Sequence, residues 1–253
     1  MSEKKSLPPG MAALWLRPDE RGRPGRRPGL TLQQITAAAM ALADADGLGA
    51  VSMARVAERL GVTTMAIYRY VAGKDELLAL MLDTALAPPR TPVGNDLPWR
   101  DQLDDWCRAQ LDLIAAHPWA VRLSALSAIG PNRVRWIEQG LAALENTPLP
   151  VELRVALIGM LSLHVFTEGQ FVAAIADQQA GRDAEPHPAL LDYGALLRSV
   201  VDAEQHPRVA DALVRGAFDA TGDEDSQEQQ NLALTMLLDG VAALIARCEQ
   251  VES

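Results

Sequence analysis

The chain has 253 residues, of which 49% are hydrophobic and 4% aromatic, and its formal net charge is −10. Ala and Leu dominate, strand-forming residues never alternate in runs and no repeat is visible, so we predict an all-α protein of two domains with a sizeable core. The two cysteines, Cys107 and Cys248, lie too far apart for a metal or redox motif, so we predict no metal site. We also predict no cofactor.

The sequence also bears on location. No signal-peptide core opens the chain, and its longest nearly apolar run, Val155 to Phe166, is too short to span a bilayer. We therefore expect a cytoplasmic protein with no membrane partner.

The charged residues are unevenly distributed along the chain. Residues 1–87 hold 11 Lys and Arg against 9 Asp and Glu, and residues 88–253 hold 12 against 24. A polyanion would orient such a molecule with its basic N-terminal part first.

Residues 1–30 are predicted to be a flexible, arginine-rich arm. Five arginines lie among Pro and Gly between positions 17 and 27, and this composition prevents a stable helix. Extended arginines fit the narrow minor groove of DNA. The arm residues expected there are Arg21, Arg23, Arg26 and Arg27. The alternative is a disordered, solubilising tail. Leu14, Trp15 and Leu16, just upstream, either dock on the body and anchor the arm or are disordered.

The next segment, residues 31–87, contains three predicted helical pieces after an opening helix. Thr31 and Gln34 form a capping box that starts the opening helix. Ser52 is a candidate cap for the next helix, Gly61 ends it, and Thr63 or Thr64 starts another of barely two turns. An amphipathic helix, a glycine turn and a second short helix are typical of a helix-turn-helix.

The outward face of the short helix points to nucleic acid. Its members are large or polar: Thr64, Met65, Tyr68, Arg69 and Tyr70. Hydroxyls and a guanidinium at this density suit contacts to base edges and phosphates. The alternative is a solvated helix face that carries two tyrosines by chance, since helical hairpins with glycine turns are common.

The run from Thr31 to Leu82 resembles the DNA-binding domain of the TetR family of bacterial transcriptional regulators. The resemblance rests on ADADGLGAVSM, VAERLGV and TMAIYRYVAGKDELL. It implies contacts from the helix-turn-helix to DNA phosphates and base edges, with the Lys74 ammonium on a phosphate at a helix N-terminus. The expected DNA-binding residues of this segment are Thr31, Ser52, Thr63, Thr64, Met65, Tyr68, Arg69, Tyr70 and Lys74. Ala54 departs from the family pattern, because some members place an arginine there against a guanine.

Residues 88–253 are predicted to form a helical ligand-binding and dimerisation domain. Helices are expected from Pro98 to about Ala116, after Gly130-Pro131-Asn132, over Pro150 to about Gln179 as the longest, and from Gln227 to about Gln250. HisProTrp at 117–119 followed by GlyProAsn resembles the C-terminal domain of actinobacterial TetR-family members. That resemblance implies a four-helix bundle across a two-fold axis, a homodimer, and a lever role for the Lys74 helix.

A ligand site is expected within this domain. His164 and Glu168 interrupt an apolar stripe, so they are a satisfied core pair, part of a subunit interface, or polar anchors in a cavity. The candidate ligand-binding residues are Trp106, Trp136, Leu161, His164, Glu168 and Phe171.

By resemblance, the chain is a repressor that binds a palindromic operator as a homodimer and is released by a small hydrophobic effector. The alternatives are a helical enzyme or a helical adaptor that docks through its acidic body. Four histidines and many carboxylates are present, but no nucleophile elbow, phosphate loop or metal-ligand spacing occurs. We therefore predict no catalytic residue and no enzyme.

Overall fold

The computed structural model describes residues 12–15, 30–89, 97–123, 129–179, 181, 193–218 and 223–252. Over these residues the chain is all-α, as predicted, with eleven α-helices and two short 3₁₀ turns. It forms two compact units, Met1–Gly169 and Gln170–Ser253, and the division falls inside the eighth helix. The predicted domain boundary at residue 88 stays a prediction.

The head, residues 30–87, packs its helices around one apolar core. The helices before residue 90 are α1 (Ala12–Trp15), α2 (Leu32–Asp46), α3 (Met53–Arg59), α4 (Thr64–Tyr68) and α5 (Lys74–Ala85), with a 3₁₀ turn at Leu48–Ala50. Their buried side chains include Ile35, Ala39, Leu42, Ala43, Val56, Ile67, Leu77 and Met81. The predicted inward stripes of α2, α3 and α5 are therefore confirmed, apart from Leu60 and Leu78, which are only partly buried.

Local capping sets where the head helices begin. Thr31 and Gln34 form the predicted capping box, in which each side chain accepts a hydrogen bond from the other residue's backbone N–H. Ser52 caps α3 by accepting from the Arg55 amide at 3.2 Å. Each such cap is worth about 1 kcal/mol, because it satisfies a backbone donor that has no partner inside the helix.

The turn between α3 and α4 depends on Gly61. Its φ of 65° lies in the left-handed region. The Gly61 amide donates to the Glu58 carbonyl, and the Val62 amide donates to the Ala57 carbonyl. This pair of bonds is a Schellman motif, which ends a helix and favours glycine because a side chain is strained at that φ. Thr63 then caps α4, whose first helical residue is Thr64.

Three long helices follow the head: α6 (Trp99–Ala116), α7 (Pro131–Ala143) and α8 (Val151–Gln179), with a 3₁₀ turn at Pro118–Arg122 before α7. The predicted bounds of α6 and α8 agree within one residue. Ile137, predicted to face inward on α7, is exposed because α7 packs through Trp136, Gly140 and Ala143, which lie on another side of the helix.

The second unit contains two helices that the sequence analysis missed, α9 (Tyr193–Val200) and α10 (Pro207–Val214). Pro207 at the first position of α10 is a helix-start signal that would have found it. The last helix, α11 (Asp223–Glu252), has 30 residues and begins four residues before the predicted start. The prediction that α8, with 29 residues, is the longest helix was therefore wrong, since the polar start of α11 carries no apolar period.

Helix α8 is long and apolar enough, over Val151–Gln178, to cross a bilayer by length and composition alone. The uninterrupted apolar run within this helix, Val155 to Phe166, is shorter, and the prediction of no membrane span rested on that run. A core helix of a soluble protein passes the same test, so the finding is weak evidence for a membrane span.

Candidate nucleic-acid interface

Helix α4 combines one buried anchor with an outward face of large side chains. Ile67 is fully buried, and Val71 just after the helix is buried as well. On the other side, Met65 is 73% exposed and Tyr68 is 46% exposed. The free energy of burying Ile67, about 2–5 kcal/mol by comparison with truncation of similar core residues, holds this short helix on the head. The outward side chains are consequently displayed on a fixed backbone.

The other side chains predicted to lie on or beside this face differ in how exposed they are. Thr63 is exposed and its hydroxyl accepts from the Ala66 amide at 3.3 Å, and Thr64 is half-buried. Arg69 is exposed at the C-terminal end of α4. Tyr70, expected to point outward, is half-buried and packs against the head core. The structure therefore brings Thr63, Met65, Tyr68 and Arg69 to the surface and holds Tyr70 partly inside.

The remaining head residues predicted to bind DNA lie at helix N-termini. The hydroxyls of Thr31 and Ser52 are used in capping their own helices. Lys74 is exposed at the first position of α5. Two carboxylates share its turn, and Glu76 accepts a hydrogen bond from the Ala72 amide. Lys74 is thus a positively charged residue in the first turn of α5, where two acidic side chains already interact favourably with the helix dipole.

Arg55, on the exposed side of α3, is held within the head. Its guanidinium lies 2.7 Å from the Asp46 carboxylate and also donates to the Ala50 carbonyl at 3.4 Å. An exposed ion pair of this kind contributes about 0–1 kcal/mol to stability. The contact orients Arg55 along the α2–α3 connection, and Ala54 beside it is exposed but offers no polar group.

The predicted arm has one described segment, α1, which lies inside the 1–30 range called flexible. Trp15 donates its indole N–H to the Ile129 carbonyl at 2.8 Å, and Leu14 packs against the head core. Of the two alternatives for these residues, docking is therefore the one observed for Leu14 and Trp15. The four arm arginines, Arg21, Arg23, Arg26 and Arg27, and Leu16 lie outside the described residues.

Asp44, near the end of α2, links the head to the 3₁₀ turn after α6. Its Oδ1 accepts from the Trp119 indole at 2.6 Å and lies 2.9 Å from His117 Nδ1. The HisProTrp motif, read in the sequence as a break, therefore supplies two polar partners to the head. This contact was not predicted from the sequence, because its residues lie more than 70 positions apart.

The candidate ligand residues of α6 and α7 are buried and already hydrogen-bonded. Trp106 and Trp136 meet edge to face, with ring centroids 6.0 Å apart. Trp106 donates to the Trp136 carbonyl at 2.9 Å, and Trp136 donates to the Leu86 carbonyl at 2.7 Å. Both indoles thus brace the fold, and a ligand would meet their ring faces rather than their N–H groups.

On α8, Leu161 is buried and His164 and Glu168 are half-buried. The structure gives no ion pair between His164 and Glu168, so the paired-core interpretation loses its main support. Phe171 is half-buried and belongs to the second unit. The ligand-binding set as a whole stays a prediction. Among the described residues, no group of three or more His, Cys, Asp and Glu is placed to hold a metal ion.

Comparison with known proteins identifies the family. Residues 35–81 match "Bacterial regulatory proteins, tetR family", and residues 91–245 match "Tetracyclin repressor-like, C-terminal domain". The chain belongs to the TetR family. The matched ranges contain the helix-turn-helix described above and most of the helices that follow it, so the predicted family is confirmed.

Two relatives illustrate the similarity. The chain is 33% identical over 244 residues to the HTH-type transcriptional repressor DrrR1 of Streptomyces coeruleorubidus, covering 92% of this chain and 85% of that protein. It is also 35% identical over 133 residues to an HTH-type transcriptional regulator of Saccharopolyspora erythraea, covering 52% and 56% of the two chains.

Solved TetR-family structures share the fold. ActR of Streptomyces coelicolor in complex with actinorhodin superposes with a TM-score of 0.66 at 25% identity, covering 87% of this chain and 98% of that one. BioQ with its double-stranded DNA operator superposes with a TM-score of 0.52 at 25% identity, covering 60% and 93%.

This TetR-family chain is a helix-turn-helix DNA-binding transcriptional regulator. The family is non-enzymatic, which confirms the prediction that the chain is not an enzyme and removes the enzyme alternative.

Proposed function

We propose that this TetR-family chain is a cytoplasmic repressor that binds a palindromic operator as a homodimer and leaves it when a small hydrophobic effector binds the body. The observation that carries the DNA-binding part is the face of α4. Met65 and Tyr68 are exposed on a helix whose opposite side is anchored by Ile67. Exposed apolar and phenolic groups on one face of a short helix suit a thymine methyl and backbone phosphates in the major groove.

Operator binding in this proposal uses several kinds of contact. Thr64 and Met65 meet base edges, while Tyr68, Arg69 and Lys74 contact phosphates, with Thr31, Ser52, Thr63 and Tyr70 at the margin. The four arm arginines enter the adjacent minor groove. BioQ, a structural relative at 25% identity, has been solved with its operator, which supports DNA as the partner.

The small size of the DNA-contacting helix α4 supports a homodimer. A helix of five residues contacts too few base pairs for specific binding, so two copies on a two-fold axis are needed. Helix α8 displays an apolar row spaced by four residues: Val151, Val155, Gly159 and Leu163 are all exposed. A row of this kind suits burial against a second copy of the chain.

In this proposal the effector that releases the operator binds the body, residues 88–253. ActR, whose structure resembles that of this chain at 25% identity, has been solved in complex with actinorhodin, which supports a small molecule as the effector. A hydrophobic effector would be held against the apolar faces of α6, α7 and α8, with His164 and Glu168 as polar anchors. Its preference for one conformer need only amount to about 1–3 kcal/mol to shift operator binding.

The test is selection of double-stranded DNA from a random library by the full chain, followed by footprinting of the enriched sequence. We expect an inverted repeat, protected symmetrically on both halves. The control is the double variant Met65→Ala with Tyr68→Ala, which should enrich nothing while it melts like the wild type. Failure of the wild type to enrich any sequence, or enrichment of a single half-site, would contradict the proposal.

A further inference from the structure

Asp83, in the last turn of α5, holds the start of α7. Helix α7 begins at Pro131, and its N-cap residue, Gly130, makes no side-chain cap hydrogen bond. Instead, Asp83 Oδ1 accepts from the Asn132 amide at 3.0 Å. A carboxylate at a helix N-terminus satisfies a backbone donor that lacks an intrahelical partner and is favoured by the helix dipole. Asp83 therefore caps α7 from a different helix.

Asn132 returns the contact. Its side-chain amide donates to the Asp83 carbonyl at 2.8 Å and lies 3.2 Å from Asp83 Oδ2. One turn further along α7, Trp136 donates to the Leu86 carbonyl at 2.7 Å. The last carbonyls of a helix have no partner inside it, so both α7 side chains bind groups that α5 leaves open. The ends of α5 and α7 thus cap each other.

Gly130 makes this approach possible. A Cβ at position 130 would lie 2.0 Å from Asp83 Oδ1 and 2.5 Å from Asp83 Cγ. Its φ of −87° is open to any residue, so glycine is needed here for space rather than for backbone conformation. A larger residue would displace the Asp83 carboxylate from the helix end.

Breaking the contact between the Asp83 carboxylate and the start of α7 costs free energy. Burial raises the pKa of Asp83, and the amide hydrogen bonds from Asn132 and Arg133 and the charge of Arg135 oppose that rise. A partly buried carboxylate left without these partners keeps its desolvation cost, so a partly open joint is unfavourable. The contact between Asp83 and Asn132 therefore favours a single relative orientation of α5 and α7 over a range of orientations in which the contact is broken.

We propose that Asp83 is a positioning residue which, with Asn132, makes α5 and α7 move as one body and so fixes the orientation of the head relative to α6 and α7. The contact continues inward, because Trp106 of α6 donates to the Trp136 carbonyl at 2.9 Å. This inference rests on the proposed function in one respect: it supplies the route by which a shift of α6 or α7 reaches the helix that follows α4.

The orientation is measured by pulsed electron paramagnetic resonance within one chain. Spin labels are placed at two exposed positions, Glu58→Cys on α3 and Asp112→Cys on α6, in a Cys248→Ser background. Cys107 needs no replacement, because it is buried and burial raises the pKa of its thiol to about 12. Labelled protein is diluted into unlabelled protein so that only intrachain distances are observed.

We expect one narrow distance in the unsubstituted background and a broadened or shifted distribution in Asp83→Ala and in Asn132→Ala. The double variant should broaden no further than either single variant, because both remove the same contact. The matched control is Glu138→Ala, an exposed carboxylate on α7, which should leave the distance unchanged. Thermal melting confirms folding, and Asp83→Asn serves if Asp83→Ala does not fold, since the amide is the same size but loses the charge.

An unchanged distance in folded Asp83 variants, or additive broadening in the double variant, would overturn the proposal. The same variants are then tested on the selected operator, where a loosened head must be ordered on binding and affinity should fall on the order of 2- to 30-fold. If the wild type selects no operator, the proposed function fails while the distance result still decides the role of Asp83. If operator binding is intact and the distances do not change, only the role of Asp83 fails.

Discussion

Helices α4 and α8 both expose large apolar side chains, but their settings differ. Helix α4 has five residues, and its exposed Met65 and Tyr68 lie beside Thr63 and Arg69. Helix α8 has 29 residues, and its exposed row at Val151, Val155 and Leu163 repeats every turn or every second turn. The first face mixes methyl, hydroxyl and guanidinium groups, whereas the second is a continuous apolar strip.

The difference shows that exposure alone does not identify a surface. A mixed face on a short anchored helix suits DNA, where a wet groove offers both phosphates and methyl groups. A uniform strip on a long helix suits another protein surface, which can exclude water along its whole length. Substitutions on the two helices should therefore affect different partners.

The largest effect is expected from Leu163→Arg on α8. Leu163 is 68% exposed in the single chain, and a second copy would bury it, so an unpaired charge there costs about 3–5 kcal/mol of dimer stability. Sedimentation should show dissociation at concentrations where the wild type is a dimer. The control is Leu196→Arg, a similarly exposed leucine on α9, which should leave the dimer intact. Equal association of both variants would remove α8 from the interface.

Tyr68→Ala should weaken operator binding by about 1–3 kcal/mol, because a phosphate contact and part of the α4 face are lost. Tyr68→Phe removes only the hydroxyl and should account for part of that loss. Because Tyr68 is 46% exposed, neither change should lower the melting temperature much. Titration of labelled operator measures the affinity, and an affinity equal to that of the wild type would exclude Tyr68 from the interface.

The arm is tested by salt dependence. Replacing Arg21, Arg23, Arg26 and Arg27 with serine leaves the α1 anchor in place, whereas deleting residues 1–27 also removes Trp15 and its contact to Ile129. Each lost phosphate contact should reduce the slope of log K against log salt by about 0.9. The serine variant should show the reduced slope, and the deletion should add a loss of stability. Identical slopes for all three proteins would show that the arm does not contact DNA.

The smallest effect is expected from Gly61→Ala in the turn that presents α4. Its φ of 65° makes any side chain strained, at a cost of roughly 1–2 kcal/mol in the free energy of unfolding. Gly49→Ala is the control, because that glycine has no positive φ and open space around it. Denaturant unfolding measures both, and equal stabilities would show that the turn relaxes around the added methyl.

Much of the head was predictable because its determinants are local. Thr31 with Gln34, Ser52 with the Arg55 amide and the Gly61 turn all act within five residues of the chain. Hydrophobic spacing then selected the buried sides of α2, α3 and α5. The bounds of α6 and α8 followed from Pro98 and Pro150 in the same way.

The candidate site was predictable only in part. The exposed positions of Met65, Tyr68 and Arg69 agree with the expected outward face, but Tyr70 packs against the core. Helical periodicity does not predict whether the Tyr70 side chain is buried, because Tyr70 lies in the turn after α4, where the helix has ended. The indoles of Trp106 and Trp136, expected beside a ligand, already bind backbone carbonyls that pattern analysis cannot pair with them.

The sequence by itself determined the helices of the head, the three long helices α6, α8 and α11, several helix caps and the family, since these depend on residues that are neighbours along the chain. Only the tertiary structure decided which polar groups meet across it: Asp44 with Trp119, Asp83 with Asn132 and Trp15 with Ile129. Those pairs are separated by 75, 49 and 114 positions. A hydrogen bond between distant residues depends on how whole helices pack, and no local pattern of side chains carries that information.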